Sequence, residues 1–436
     1  MREIIAKEVE AVQQQIVNWR REIHRHPEIG WTEYQTTAKV ADILEELGMH
    51  VQMGAEVIAP AARMGVPEEK ILDAARKHAR ENGVSEARLE QMGNGLTGVV
   101  GTYDTGRPGP TIAFRFDMDA LQVREAEHAG HIPAVQGFRS EYEGSMHACG
   151  HDGHTAIGLG LAMVLMKLRD SLTGTFKLIF QPAEEGCRGA KAMVEASVVD
   201  GVDYFFACHL GVTARNNRQI ACGVTEFLAS TKIDVELEGV PAHAALAPHE
   251  GRSALLAAAT IALQLHGIPR HGEGISRINV GILEAGEGRN IVPAFARLQL
   301  ETRGETNEIN QFMTDEAIRI IRSAAQMYQV QEHIHIVGQG ISATCDQELI
   351  DLVSAVASHW DSDLKVVPTL PFRASEDATY LMEAVQKQGG KATYLLIGTE
   401  LAAGHHNFSF DFQEESLQTA VALFANVMYR LAGKNM

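Results

Sequence analysis

A chain of 436 residues exceeds what one ordinary hydrophobic core organises, so it divides into two or three domains. Hydrophobic residues at 45% and charged residues at 22% are the proportions of a soluble globular protein. The net charge of −18 disfavours nucleic acid and anionic membrane surfaces as partners, because both select a basic face.

Residues 1–25 carry charges throughout and lack the apolar stretch of a secretory signal, so the cytoplasm is the expected compartment. Residues 5–25 and 33–47 read as amphipathic helices, the second ending at Gly48, with His26-Pro27-Glu28-Ile29-Gly30 turning between them. Residues 67–92 form a polar helical stretch that looks like an insertion, closed by Gly93-Asn94-Gly95. Residues 98–103 and 111–116 read as strands around a Gly/Pro-rich turn, and 155–168 as an apolar helix. The longest apolar run, roughly 156–166, is about half of the ~20 residues a membrane span needs. Strands follow at 175–180 and 202–209, and alternation at this spacing predicts an α/β domain with a mostly parallel sheet.

The texture changes near residue 223. Strands at 227–237, 278–283, 297–302 and 333–337 surround helices at 251–267 and 308–328, the order of a ferredoxin-like split βαβ domain of about 115 residues. From 345 onward the α/β texture returns, with a strand at 393–397. The expected organisation is a two-domain α/β protein. A catalytic domain over 1–222 is completed by 339–436, and an inserted α+β domain occupies 223–338.

The densest chemistry lies in Met146-His147-Ala148-Cys149-Gly150-His151-Asp152-Gly153-His154, with one thiol, three imidazoles and one carboxylate. Such groups are costly to bury unless paired or coordinated. Cys149, His151 two residues on and His154 three further, on a loop entering a helix, can converge on one metal ion. A structural zinc site would add a second Cys or His pair at short spacing, and none is present. The five cysteines are odd in number and widely spaced, unlike a disulfide framework. A Cys149 nucleophile beside His151 is the alternative, but nearby carboxylates raise a thiol's pKa instead of activating it.

Glu184 and Glu185 follow a strand in a turn, where adjacent carboxylates can flank one site. One would bind a metal while the other takes a proton from water made acidic by the ion; a solvated acidic turn is the competing reading. Asp119 either orients a ligand imidazole or caps a following helix. His209 ends an apolar strand as a ligand or a satisfied structural group, and one of His405-His406 would close the shell. On the second domain, His243 lies on a turn before a helix, where it could donate to a developing oxyanion or simply belong to that helix turn. Arg289, Asn290 and Arg303 are candidate contacts for a substrate carbonyl or carboxylate, or surface groups.

Taken together the chain resembles the auxin-conjugate and N-acyl amino acid amidohydrolase branch of the binuclear aminoacylase and carboxypeptidase-G metallopeptidases. The matching motifs are Arg25-His26-Pro27-Glu28, Asp117-Met118-Asp119-Ala120-Leu121, the run from His147 to His154, Gln181-Pro182-Ala183-Glu184-Glu185-Gly186, His243-Ala244-Ala245 with Pro248-His249, Ser375-Glu376-Asp377, and the run from His406 to Phe410. They span nearly the whole chain in the family's order.

The resemblance implies Cys149, His151, Glu185, His209 and His406 as ligands of a pair of divalent ions, manganese in this branch with zinc as the alternative. It implies Glu184 as general base, Asp119 as an orienter behind the ligands, His243 as oxyanion donor to a partner's site, and Asn290 as a substrate contact. The second domain would then serve as lid and dimerisation domain, in a homodimer or a heteromer with a related subunit. The insertion at 54–95 and the ending Ala402-Ala403-Gly404-His405-His406-Asn407 resemble those of the aminobenzoyl-glutamate-hydrolysing subgroup. The implied activity is hydrolysis of an N-acyl amino acid amide such as p-aminobenzoyl-glutamate or indole-3-acetyl-aspartate. A dipeptidase or carboxypeptidase of the same family, or a silent binding protein, is the alternative.

Overall fold

The computed structural model describes residues 2–434. Among them, twelve strands run in chain order: β1 (His50–Met53), β2 (Val99–Asp104), β3 (Thr111–Asp117), β4 (Thr175–Gln181), β5 (Tyr204–Leu210), β6 (Gln219–Thr225), β7 (Ala229–Glu238), β8 (Ser276–Ala285), β9 (Phe295–Gly304), β10 (Gln331–Gly340), β11 (Lys365–Pro371) and β12 (Lys391–Ile397). The chain forms two compact units, one running up to Thr225, then over Ala343–Phe372 and onward from Asp377, the other over Glu226–Ser342 with Arg373–Glu376.

The first unit carries an eight-stranded sheet in the order β1-β2-β4-β3-β5-β12-β6-β11. Its centre, β4-β3-β5-β12, is parallel throughout, and β6-β11 is parallel as well. β1-β2, β2-β4 and β12-β6 are antiparallel. The central strands are nearly continuous apolar runs, such as Tyr204-Phe205-Phe206-Ala207-Cys208 and Thr393-Tyr394-Leu395-Leu396-Ile397, because both faces of a parallel sheet are covered. Their shared direction brings the ends of β3, β4, β5 and β12 to one edge, where Asp117, Gln181, Leu210 and Ile397 hand over to loops.

Helix His151–Leu168 is buried on nearly all sides, packed between β3 and the helices Arg2–Arg25 and Glu415–Ala432. It begins at His151, four residues before the start expected from the apolar pattern. Gly150, at φ 92, supplies the left-handed turn that places His151, Asp152 and His154 in the first helical turn. The polar stretch expected as one helix over 67–92 is two helices, Glu69–Glu81 and Glu86–Met92. The break falls where Gly83 takes φ 91 and the Ser85 hydroxyl accepts the Arg88 amide at 3.3 Å to cap the second helix.

The second unit is a four-stranded antiparallel sheet in the order β10-β7-β9-β8, the order of a split β-α-β sandwich. Helices Ala254–Leu265 and Asn307–Tyr328 pack on it around Ile233, Val235, Ile261, Leu298, Met313 and Ile321. Among the described residues, no helix is long and apolar enough to cross a membrane.

The buried helix tolerates its neighbours only because it is thin. A Cβ at Gly158 would lie 2.5 Å from Phe116 and 2.7 Å from Phe180. Gly158→Ala gains about 1 kcal/mol of helix propensity but forces the methyl into two rings, an overpacking that costs about 1–3 kcal/mol. The expected net is a lowered urea midpoint; an unchanged or raised midpoint would show that the rings yield freely.

Candidate metal centre

β4 ends at Gln181 and the chain reverses over 182–189, with Ala183 (φ 52), Gly186 (φ 83) and Cys187 (φ 60) in the left-handed region. Two of these are not glycine, and each such residue costs about 1 kcal/mol or more. Hydrogen bonds from three buried carboxylates hold the turn in place. Glu33 accepts the Ala183 amide at 2.8 Å, Asp119 accepts the Glu184 and Glu185 amides at 3.0 Å each, and Asp377 accepts the Gly189 and Ala190 amides at 2.9 Å each. The turn removes the strand's alternation, so both glutamates face one place. Glu184 Oε2 and Glu185 Oε1 lie 3.9 and 4.0 Å from His151 Nε2.

His151 Nδ1 donates to the Asp119 carbonyl at 2.9 Å, with Asp119 Oδ1 at 3.3 Å. That fixes the proton on Nδ1 and leaves Nε2 as a buried atom with no hydrogen-bond partner. An orphaned buried ring nitrogen is costly, and a cation placed against it removes the cost. The ligating atoms of Cys149, His151 and His209 lie within 4.8 Å of one another, as do those of Cys149, Glu185 and His406. Both triads contain Cys149, so its sulfur stands between two places where an ion fits.

Each imidazole is aimed by a backbone bond. His209 donates from Nδ1 to the Leu210 carbonyl at 2.8 Å, turning Nε2 to within 3.4 Å of Cys149 Sγ. His406, at φ 63, donates its amide to the Ala148 carbonyl at 2.7 Å and brings Nε2 to 3.4 Å from Glu185 Oε1. His405 engages Nε2 with the Leu210 carbonyl at 3.1 Å and packs its ring on His209 and Phe410. Of the adjacent pair, His406 faces the cluster and His405 supports His209 from behind.

Asp117, His151 and His154 also converge, but His154 uses both nitrogens, donating to Asp117 Oδ1 and accepting the Leu210 amide at 2.9 Å. Asp117 in turn pairs with Arg115 at 2.8 Å. Asp152, next to His151, faces away into a buried network with Arg20 at 2.9 Å and His24 at 2.8 Å.

The electrostatics favour a cation. Burial, with Glu185, Glu184 and Asp117 nearby, pushes the Cys149 thiol well above its usual range, so it is not a ready nucleophile. Burial would depress His151, but Asp117, Asp119 and Glu185 outweigh it and carry the imidazole up to about 10. His209 is held well below its ordinary value by burial and by His154 and His405. A pocket with surplus carboxylate thus takes a proton on His151, a role a divalent ion fills with two charges.

In the second unit, His243 is exposed and forms a bridge with Ile291. It does not directly precede a helix as expected: a 3-10 turn at Pro248–Glu250 intervenes, and the helix starts at Ala254. Its Nδ1 accepts the Ala245 and Leu246 amides at 3.2 and 3.1 Å, which puts the proton on Nε2 as an available donor. Arg289 and Asn290 are exposed on the β8–β9 connection, tied to this segment by the Ala244 amide donating to the Asn290 carbonyl at 3.0 Å. Arg303 is engaged bidentately with Glu301 at 2.8 and 3.1 Å. Glu33 and Arg115, which sequence reasoning did not single out, turn out to fasten the site. Their links to the loop after β4 span 150 residues from Glu33 to Ala183 and 66 from Arg115 to Gln181, beyond any local spacing rule.

A parallel sheet whose strand ends gather thiol, imidazole and carboxylate donors beside a second carboxylate defines a metal-binding hydrolase. Residues 113–430 match the profile of Peptidase family M20/M25/M40, and the chain belongs to that family of amide-bond hydrolases. It is 45% identical over 418 residues, 96% of this chain and 98% of the relative, to a Haemophilus influenzae homolog of a p-aminobenzoyl-glutamate hydrolase subunit. It is 47% identical over 412 residues, 94% of each chain, to the indole-3-acetyl-aspartic acid hydrolase of Enterobacter agglomerans. The crystal structure of the aminobenzoyl-glutamate utilization protein from Klebsiella pneumoniae superposes with a TM-score of 0.83 at 41% identity, covering 97% of each chain.

The two neighbouring histidines separate experimentally. His406→Ala is expected to lower metal content from about two ions per chain to about one, whereas His405→Ala keeps the content and lowers the melting temperature. Elemental analysis of the purified variants reads this directly, and equal metal loss in both would overturn the distinction.

Proposed function

We propose that the chain hydrolyses the amide bond of an N-acyl amino acid with an aromatic acyl group and an acidic amino acid, of the p-aminobenzoyl-glutamate or indole-3-acetyl-aspartate type. The observation that carries this is the convergence of Cys149, His151, Glu185, His209 and His406 on a space that Glu184 also faces. The names of the two relatives, with 94–98% of their lengths aligned, support the substrate class.

The five converging residues would hold two divalent ions; manganese, which the Glu185 carboxylate suits, is the proposed metal, and zinc, which the Cys149 sulfur and the imidazoles suit, is the alternative. When bound, such ions supply Lewis acidity toward the scissile carbonyl and make water acidic enough to deprotonate near neutral pH. Glu184 takes that proton and passes it to the leaving amine. Asp119 keeps Glu184 and Glu185 in register through their amides and keeps the His151 lone pair turned inward. His243 donates from Nε2 to the oxyanion, while Asn290, Arg289 and Arg303 bind the substrate, Arg303 after release from Glu301. The unit over Glu226–Ser342 serves as lid and dimerisation surface, and its partner is a second copy or a related subunit. Relatives from Haemophilus influenzae and Escherichia coli carry names that make them one subunit of a hydrolase, which favours the related chain over the second copy. All five cysteines are free, which suits a reducing cytoplasm.

Glu184→Gln is expected to lower kcat by about 10²–10⁴-fold with metal content near wild type; retention of most of kcat removes Glu184 as the base. Chelation should abolish activity and lower the melting temperature, and added manganese should restore both. Full activity and an unchanged melting temperature in metal-free protein would refute the reading. Assays of p-aminobenzoyl-glutamate, indole-3-acetyl-aspartate and dipeptides side by side fix the substrate class, and preference for the dipeptides would make the chain a peptidase.

A further inference from the structure

We propose that the insertion at 54–95 is a clamp on the loop that carries Glu184 and Glu185, and that Arg188 is the positioning residue through which it acts. The inference rests on the reading of Glu184 as base and Glu185 as ligand.

Three carboxylates fix the loop's amides, but none of them holds the carbonyl of Glu185. That acceptor is taken by Arg188, whose Nε donates to it at 2.8 Å. The same guanidinium reaches out of the loop, where Nη1 donates to the carbonyl of Gly65 in the insertion at 3.1 Å. It lies against Gly30, where any Cβ would collide with Nη2, so a backbone without a side chain makes room for it.

The Gly65 end is itself anchored. The Met64 carbonyl accepts the Trp31 indole N–H at 2.8 Å. Arg63 sits over the Trp31 ring, 5.4 Å from its centroid, and donates to the carbonyls of Asn94 and Gly95 at 2.6 and 3.2 Å, which closes the insertion on itself. A second grip lies downstream: the Ala59 amide donates to the Ala192 carbonyl at 2.9 Å, on the short helix Ala190–Glu195 that leaves the loop. The insertion therefore holds this segment through a side chain at Arg188 and through backbone at Ala192.

The position held matters because of the backbone around it. Gly186 and Cys187, which follow Glu185, are both in the left-handed region, so the backbone that carries the Glu185 carbonyl runs straight into a strained turn. A shift of that backbone would move the Glu185 carboxylate relative to His151 and His406, which it now approaches to 4.0 and 3.4 Å. A charge-assisted bond from a planar guanidinium, anchored at its far end, opposes that shift. Lysine could satisfy one acceptor but not span both.

Kinetics under saturating manganese test the clamp with Arg188→Met and Arg188→Lys. Arg188→Met is expected to lower kcat about 10–100-fold, the range for groups that orient ligands, with KM within about threefold of wild type. Arg188→Lys should lie between the two, at least about threefold below wild type, and carries the test alone if the methionine variant does not fold. A wild-type kcat in whichever variant carries the test overturns the proposal. So does a KM raised about tenfold, since the guanidinium would then touch substrate. Glu184→Gln separates the two readings: if that variant is active the base assignment fails, whereas if it is dead and Arg188→Met is wild type only the clamp fails.

Discussion

One buried carboxylate, Asp119, aligns the whole centre. It accepts the amides of Glu184 and Glu185, one on each oxygen, while its carbonyl and Oδ1 receive His151 Nδ1. Hydrogen bonds to a charged group are each worth about 1.5–3 kcal/mol when buried. Three of them on one side chain offset the left-handed strain at Ala183 and Cys187. Asp119 can do this only because β3 and β4 are parallel neighbours, so that the residues just past their ends meet. The sheet direction, and not any local sequence rule, makes a single aspartate the common reference for a loop and a helix start.

Charge is distributed around that reference in layers. The protein's own cations sit behind the centre: Arg115 pairs with Asp117, and Arg20 pairs with Asp152 and Asp411. Arg20 and Arg115 are fully buried; Arg20 neutralises carboxylates that face away from the cluster, and Arg115 neutralises Asp117, which lies against His151 and His154. The depressed state of Asp117 has burial working against it and His151, His154 and Arg115 overcoming it. At the front of the cluster, the charge that answers Glu184 and Glu185 is the proton on His151, whose pKa is raised well above its usual range, and the thiol beside it is raised as well and keeps its proton. Upward shifts on both adjacent groups are what a surplus of carboxylate produces in a low-dielectric pocket, and a pocket of that kind selects a cation.

Much of this was legible in the chain. The motif around Cys149 and His151, the adjacent glutamates after a strand and the histidines at strand ends carry donor chemistry too dense to be a packing accident. The texture of the sequence changes near residue 223, and the second compact unit runs over Glu226–Ser342. Other features were not legible. His405 and His406 have the same side chain one position apart, and only the left-handed φ at His406 and the Leu210 carbonyl facing His405 tell them apart. The polar run over 67–92 has helical composition throughout, and its break depends on one glycine conformation and one serine cap. Glu33 and Arg188 look like ordinary surface charges until their acceptors and donors are in place.

The sequence by itself determined which chemistry is available, because donor types, their local spacing and the periodicity of apolar residues are properties of short segments. It also determined the kinds of elements, a parallel α/β core and a split βαβ unit, since 2.0 and 3.6 periodicities survive without knowledge of partners. Only the tertiary structure decided which donors share a space. Cys149, Glu185, His209 and His406 are separated by up to 257 residues, and their convergence follows from strand order and the direction of four parallel strands. It likewise decided that a polar insertion grips the loop bearing the two glutamates. That contact is made mostly to backbone carbonyls, which every residue possesses and no sequence pattern distinguishes.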